Sequence, residues 1–193
     1  MQRTLVIFLK EPRPGRVKTR LGREIGMVEA AWWFRHQCAR LIRRVGHDRR
    51  WQTVLAVSPD REGLASRVWP ARLRRWPQGP GDLGERMGRA FSAMPPGPVA
   101  IIGADIPGVT AAHLAEGFRQ LGRHDAVLGP APDGGYWIIG LKRGGRAVPS
   151  ALFRGVRWSS PHALADTLAS LAPLDVGFGA TMRDVDAAAD LHS

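Results

Sequence analysis

Of the 28 basic residues in this chain only three are lysine, and two of those, Lys10 and Lys18, stand within nine residues of each other. Every other basic position is arginine. Lysine is a compact point charge on a flexible stem, whereas arginine is a planar fork. A chain so biased to arginine keeps lysine where a point charge is required, or carries it there by chance on a solvated loop. Arg13, Arg16 and Arg20 share the stretch, against the single acid Glu11. Such a loop suits phosphate oxygens, and the expected ligand is a nucleotide held by Lys10, Pro14, Gly15, Lys18 and Arg20.

Asp105 is the second chemical group. It follows an apolar run, Val99 to Ile102, and Pro107 fixes the turn after it. A carboxylate at the end of a buried strand suits a divalent cation. Mg²⁺ is typically held by one or two carboxylates together with substrate phosphates. The competing reading is an aspartate that caps the turn. Asp184 and Asp186 lie two apart and share a face in extended chain. Asp186, or Asp184 in its place, is a candidate second ligand, against a capping role before a last helical turn.

A third candidate is Asp133-Gly134-Gly135-Tyr136-Trp137. Two glycines permit backbone conformations closed to other residues. Asp133, Gly134, Gly135 and the aromatic pair Tyr136-Trp137 then line a sugar or acceptor pocket, or the stretch forms a hairpin turn with Trp137 in the core. Lys18, Asp105 and Asp133 are the residues expected to carry catalysis.

Other patterns are weaker. Gly15 to Thr19 ends in Lys-Thr, but Val17 replaces the glycine that a P-loop needs. Gly79, Gly81 and Gly84 match GxGxxG, yet the motif does not follow the first strand. Asp82 and Glu85 have capping-box spacing, which reads first as a helix start. A ligand role for Gly81 and Asp82 stays open. The six histidines show no metal-ligand spacing. Cys38 sits on an apolar helix face and reads as inert, and a lone cysteine excludes an internal disulfide.

The elements that position these groups follow from periodicity. Leu5 to Leu9 is a continuous apolar run, the mark of a strand buried on both faces. Pro12, Pro14 and Gly15 then force a shaped loop. Met27 to Val45 is an amphipathic helix, with Trp32, Trp33 and Phe34 expected in the core or a groove wall. Thr53 to Val57 is a strand, Arg61 to Arg67 a short helix and Ala71 to Trp76 a further strand. A helix from Asp82 to about Ala93 precedes the strand Val99 to Ile102. Thr110 caps a helix to about Leu121. Ala126 to Gly129 and Tyr136 to Leu141 are strands. A helix opens at Ser160-Pro161, with Pro161 as its first residue. Leu174 to Val176 is a last strand. This alternation predicts one α/β domain over 1–193, with a three-layer, Rossmann-like, mainly parallel sheet and one antiparallel element.

The net charge of +11 fits a polyanionic ligand. The arginines are spread along the chain, so nucleic acid is not the expected partner. The N-terminal apolar run is too short for a signal peptide and no segment has the length of a membrane span. The expected setting is the cytoplasm, with no membrane partner.

Taken together, Lys10-x-Pro12-x-Pro14-Gly15-x-Val17-Lys18-Thr19-Arg20-Leu21, Gln78-Gly79-x-Gly81-Asp82-Leu83-Gly84-Glu85-Arg86-Met87, Ile102-Gly103-x-Asp105-x-Pro107, Gly129-Pro130-Ala131-x-Asp133-Gly134-Gly135-Tyr136 and Asp184-Val185-Asp186 span nearly the whole chain. They resemble the bacterial radical-SAM/selenodomain-associated transferases, grouped with the nucleotide-diphospho-sugar transferases of the glycosyltransferase A (GT-A) fold. The Lys-Thr-Arg-Leu stretch is also similar to phospholactate guanylyltransferases. The resemblance implies a nucleotide over the first strand and Mg²⁺ or Mn²⁺ on Asp105 and one aspartate of the 184/186 pair. Relatives often continue that last motif with Thr and Pro, whereas this chain has Ala187-Ala188-Ala189.

Two reactions use such a site. In glycosyl transfer a small acceptor's hydroxyl attacks a nucleotide-sugar. In nucleotidyl transfer a phosphorylated acceptor attacks a triphosphate and pyrophosphate leaves. The lone Asp105 and the basic loop lean to the second; the family grouping leans to the first, which is the favoured expectation. The rival outside catalysis is a nucleic-acid-binding module, whose affinity would fall steeply with salt and ignore Mg²⁺.

Overall fold

The computed structural model describes residues 1–143 and 147–183. The chain runs β1 (Thr4–Lys10), α1 (Thr19–Ile25), α2 (Met27–Val45), β2 (Gln52–Ser58), α3 (Asp60–Ala65), β3 (Arg74–Pro77), α4 (Leu83–Ala93), β4 (Val99–Ile102), α5 (Ala111–Gln120), β5 (Ala126–Pro130), β6 (Tyr136–Leu141), α6 (Ala163–Leu171) and β7 (Val176–Phe178). The strands form one seven-stranded sheet in the order β3-β2-β1-β4-β6-β5-β7. Only β6 runs against its neighbours β4 and β5. The other pairings are parallel. The expected α/β, mainly parallel sheet with one antiparallel element is the observed one.

Alternation along β1 explains the layers. Leu5, Ile7 and Leu9 join one core with Phe34, Cys38, Leu41, Ile42 and Val45 of α2 and Leu114 and Phe118 of α5. Val6 points the other way, into a second core with Met87, Ala90 and Phe91 of α4 and Ala163 and Leu171 of α6. Both faces of β1 are therefore covered, as its unbroken apolar run required.

Several sequence expectations need correction. The loop after β1 ends in a helix, α1, that periodicity did not reveal. Seven residues give too few turns for an apolar stripe, and Gly22 within it is where α2 comes close: a Cβ there would lie 2.6 Å from Met27 Sδ. Trp32 is not core or groove wall; it is 53% exposed, stacked on His36 with Arg35 over its ring. Helix α6 begins at Ala163, so Ser160 and Pro161 belong to the turn before it. The last strand sits two residues later than predicted. Asp184 and Asp186 lie outside the described residues. Among the described residues no helix is long and apolar enough to cross a membrane.

Candidate active site

The site is built where β1 and β4, paired in parallel, release their chains on the same edge. After Lys10 the chain turns, with Arg16 N–H donating to Arg13 O and Gly15 at φ +74°. Arg13 and Arg16 both reach Glu62 of α3, at 3.4 and 3.7 Å. Glu11 accepts a hydrogen bond from Ser66 Oγ at 2.9 Å. Two of the loop's five basic residues thus anchor the loop to α3. Val17, 4% exposed, then plugs into the core, and Lys18 takes a left-handed backbone, φ +46°, as the cap of α1. The Lys18 side chain is only 7% exposed, and its Nζ lies 2.9 Å from Asp105 Oδ2. A buried ammonium needs a partner of opposite charge.

Asp105 is presented between two buried neighbours, Ala104 and Ile106. Its loop is held from outside the sheet edge: Arg44 of α2 donates from Nη1 to Pro107 O (2.6 Å) and Val109 O (2.7 Å). Beneath the pair lies Cys38. Burial pushes its thiol far above the usual range, and the charge of Asp105 adds to this, so the inert reading of Cys38 stands.

The opposite bank belongs to the other face of the sheet. Asp82 and Glu85 form the predicted capping box at α4. The preceding loop is tied down by α4 itself: Arg86 Nε donates to Gly81 O at 2.9 Å, and Arg89 donates to Gln78 O and Pro80 O. Gln78, 3% exposed, stitches the loop to the strand ends through Leu9 O and Ala56 O. Asp133 turns the β5–β6 hairpin by accepting from Gly135 N–H at 2.9 Å. Gly134, at φ +84°, lies so close to Pro161 that a Cβ would sit 2.2 Å from its carbonyl oxygen, and Gly134 O accepts from Leu164 N–H. Arg157 grips Asp166 through its backbone N–H, Nε and Nη2. That interaction holds the Asp166 carboxyl at about 2. The 131–135 and 157–162 segments therefore form one braced wall.

Between the banks lies a cleft of about 990 Å³. It gathers Lys10, Lys18, Arg20, Gly81, Asp82, Asp105, Asp133, Gly135 and Tyr136 of the predicted set. Pro14, Gly15 and Gly134 are not in its lining; they shape turns behind it. Trp137 is packed in the core, its Nε1 donating to Ala180 O at 2.7 Å, and it also lines the cleft with Asp133. The Tyr136 hydroxyl meets Thr167 Oγ1, and burial raises its pKa, so it is no proton carrier near neutrality. Sequence reasoning missed Gln78, Arg86, Trp158, Ser159 and Ser160 in the lining. Arg86 was within reach, since it stands three residues after Leu83 at the mouth of the capped helix; the 157–160 loop carried no signal.

Among the described residues no group of three or more His, Cys, Asp or Glu gathers as a metal site. The donor set is a single strand-end carboxylate beside a lysine. That chemistry fits an Mg²⁺ or Mn²⁺ ion whose remaining ligands are phosphate oxygens and water.

The fold is an α/β sheet like that of nucleotide-diphospho-sugar transferases. The chain belongs to the family described as "Uncharacterized protein conserved in bacteria (DUF2064)", whose model matches residues 41–160. It is similar to the crystal structure of a protein from Desulfovibrio desulfuricans G20 provisionally named a nucleotide-diphospho-sugar transferase, with 28% identity and a TM-score of 0.84, over 97% of this chain and 84% of that one. More distant likenesses, at the level of fold, include 4-diphosphocytidyl-2C-methyl-D-erythritol synthase from Anaerococcus prevotii DSM 20548 (11% identity, TM-score 0.63, 99% and 93% covered). The Rv0371c protein of Mycobacterium tuberculosis H37Rv, solved with manganese, is another (15%, 0.57, 100% and 97%). A search of curated protein sequences finds no match.

Proposed function

We propose that this chain is, as one domain, a metal-dependent transferase that binds a nucleoside-diphosphate donor and moves a glycosyl group from a nucleotide-sugar to a small acceptor. We include in this proposal its kinship with the radical-SAM-associated transferases. The observation that carries the reading is the contact of Lys18 with Asp105 at the cleft floor, because it joins the two groups that a metal-bound diphosphate requires. The 28% identity to the Desulfovibrio protein supports the glycosyl form.

Lys10 and Lys18 bind the diphosphate oxygens, and Gly81 and Asp82 hold the nucleoside end. Lys18 stabilises charge on the departing nucleoside diphosphate from a site shielded from water, where a fixed cation is most effective. Asp105, with Asp186 or Asp184, would hold the ion, which would neutralise charge on the leaving phosphates. Asp133 takes the proton from the acceptor hydroxyl as its oxygen bonds the anomeric carbon and the bond from that carbon to the diphosphate breaks. Gly135 and Tyr136 wall the sugar.

The second reading is nucleotidyl transfer. It draws on the lone strand-end carboxylate and on fold relatives such as the CMP-2-keto-3-deoxy-manno-octonic acid synthetase solved with CTP. Calorimetric titration of nucleotides and nucleotide-sugars with and without Mg²⁺ or Mn²⁺ tests both. Metal-dependent binding lost in Asp105→Ala is expected; release of pyrophosphate from a triphosphate would replace the glycosyl reading by the nucleotidyl one.

A further inference from the structure

We infer that the acceptor carries an oxyanion, a carboxylate or phosphate group, read by Arg86, and an apolar or ring portion that lies on Leu83 and Trp158. The inference rests on the transferase reading above and names the substrate class of its acceptor side. Leu83 and Arg86 are three residues apart on α4 and so share one face of the helix, and both line the cleft. Arg86 is oriented, not loose: Nε is committed to Gly81 O at 2.9 Å, and among the described residues its two NH₂ groups meet no acceptor. The neighbouring carboxylates are occupied with the backbone, Asp82 accepting from Glu85 N–H and Glu85 from Asp82 N–H. What remains is a guanidinium fork of the kind that takes a carboxylate or phosphate bidentately. Beside it Leu83 is 44% exposed within the cleft. The Trp158 ring packs so tightly on the helix start that a Cβ on Gly84 would lie 2.9 Å from Cζ2. Next to Trp158, Ser159 is held in the left-handed region at φ +56°, a strained setting for a residue other than glycine.

Position separates this bank from the phosphate side. Lys18 and Asp105 sit on loops leading into α1 and α5, over the core of α2 and α5; Arg86 stands on α4, and Trp158 packs against the core of α4 and α6. A ligand group on Arg86 therefore lies on the opposite bank of the cleft from the diphosphate on Lys18.

The test uses three probes, phenyl phosphate, methyl phosphate and phenylacetate, titrated by tryptophan fluorescence and calorimetry. Titrations are run on the free protein and on protein saturated with Mg²⁺ and the nucleotide it binds. Phenyl phosphate should bind at least tenfold more tightly than methyl phosphate, and Trp158→Ala or Leu83→Asn should remove that preference. Phenylacetate against phenyl phosphate tells which oxyanion is preferred. Arg86→Gln should weaken the preferred oxyanion at least tenfold and, through the loosened Gly81 loop, lower nucleotide affinity by much less, and Arg86→Lys should recover part of the loss. An unchanged thermal midpoint in Arg86→Lys guards against loop collapse. Unaltered probe affinity in Arg86→Gln, or an equal fall in nucleotide affinity, would overturn the assignment. Should the wild type bind no nucleotide, the transferase reading fails on its own, and the free-protein titration still decides whether Arg86 holds an oxyanion.

Discussion

Lys18 Nζ and Asp105 Oδ2 stand 2.9 Å apart, and the lysine side chain is almost wholly buried while the aspartate is one-third exposed. On the proposed reading Lys18 competes with the metal for Asp105. Lys18→Met should raise the affinity for bare Mn²⁺ by roughly fivefold, the equivalent of about 1 kcal/mol of partly exposed ion pairing. The same change should weaken nucleotide binding, because the phosphates lose their buried cation. Asp105→Asn should abolish metal-dependent binding and cost about 1–2 kcal/mol of stability, less than the loss from a fully buried pair. Calorimetry with Mn²⁺ alone and with nucleotide separates the two signs. Parallel falls in both affinities for Lys18→Met would count against a phosphate role for Lys18.

Two glycines with similar backbones should respond differently to the same substitution. Gly15 has φ +74° with nothing near its missing Cβ, and Gly134 has φ +84° with the Pro161 carbonyl 2.2 Å from where a Cβ would be. Gly15→Ala should cost about 1 kcal/mol, the ordinary left-handed penalty. Gly134→Ala should cost at least about 2–3 kcal/mol, since the braced wall must part. Chemical denaturation gives both numbers. Equal losses would mean that the 131–135 and 157–162 segments are not locked together.

The sequence was most legible where a residue's local pattern and its packing agree. Met27 to Val45 carries a full apolar stripe, and the helix has those limits. Asp82 and Glu85 have the right spacing, and both capping bonds form. The strand runs around Ile7 and Ile101 are apolar on both faces because helices cover both. Boundaries failed where a tertiary contact decides them. Pro161 is suited to a first helical position, but its carbonyl is pressed against Gly134, so α6 starts later. Lys18, Asp105 and Asp133 carried local marks, the scarcity of lysine, a carboxylate just after a buried strand and a paired-glycine turn, and the structure brings all three to one cleft. Arg44 carried none, since one arginine among so many on its helix stands out in no local pattern.

Arg157 and Asp166 make stability pH-dependent in a narrow acid window. The hydrogen bonds from Arg157 hold the Asp166 carboxyl at about 2, below its ordinary value of 3.8. A carboxyl depressed on folding stabilises the fold at pH above its unfolded pKa and loses that contribution as pH falls through the folded one. The difference in thermal midpoint between the wild type and Asp166→Asn should therefore be constant above about pH 5 and shrink between about pH 4 and pH 2. A difference that persists at pH 2 would show that Asp166 acts by shape and not by charge.

Arg44 touches nothing in the cleft, yet it should govern metal binding. Its Nη1 holds the carbonyls of Pro107 and Val109, and these fix the turn that presents Asp105. Charged hydrogen bonds of this kind contribute about 1.5–3 kcal/mol each when sheltered, and less at a partly exposed site. Arg44→Ala should lower stability by about 1–2 kcal/mol and metal-dependent nucleotide affinity by roughly tenfold, because a ligand displaced by a fraction of an ångström loses its coordination geometry. Arg44→Lys supplies the charge but reaches both carbonyls less well, so it should recover part of the affinity. Metal-independent nucleotide binding, measured in chelator, should be unaffected in both variants. A loss of the same size in chelator would show general loosening of the sheet edge, and Arg44 would then have no particular tie to Asp105.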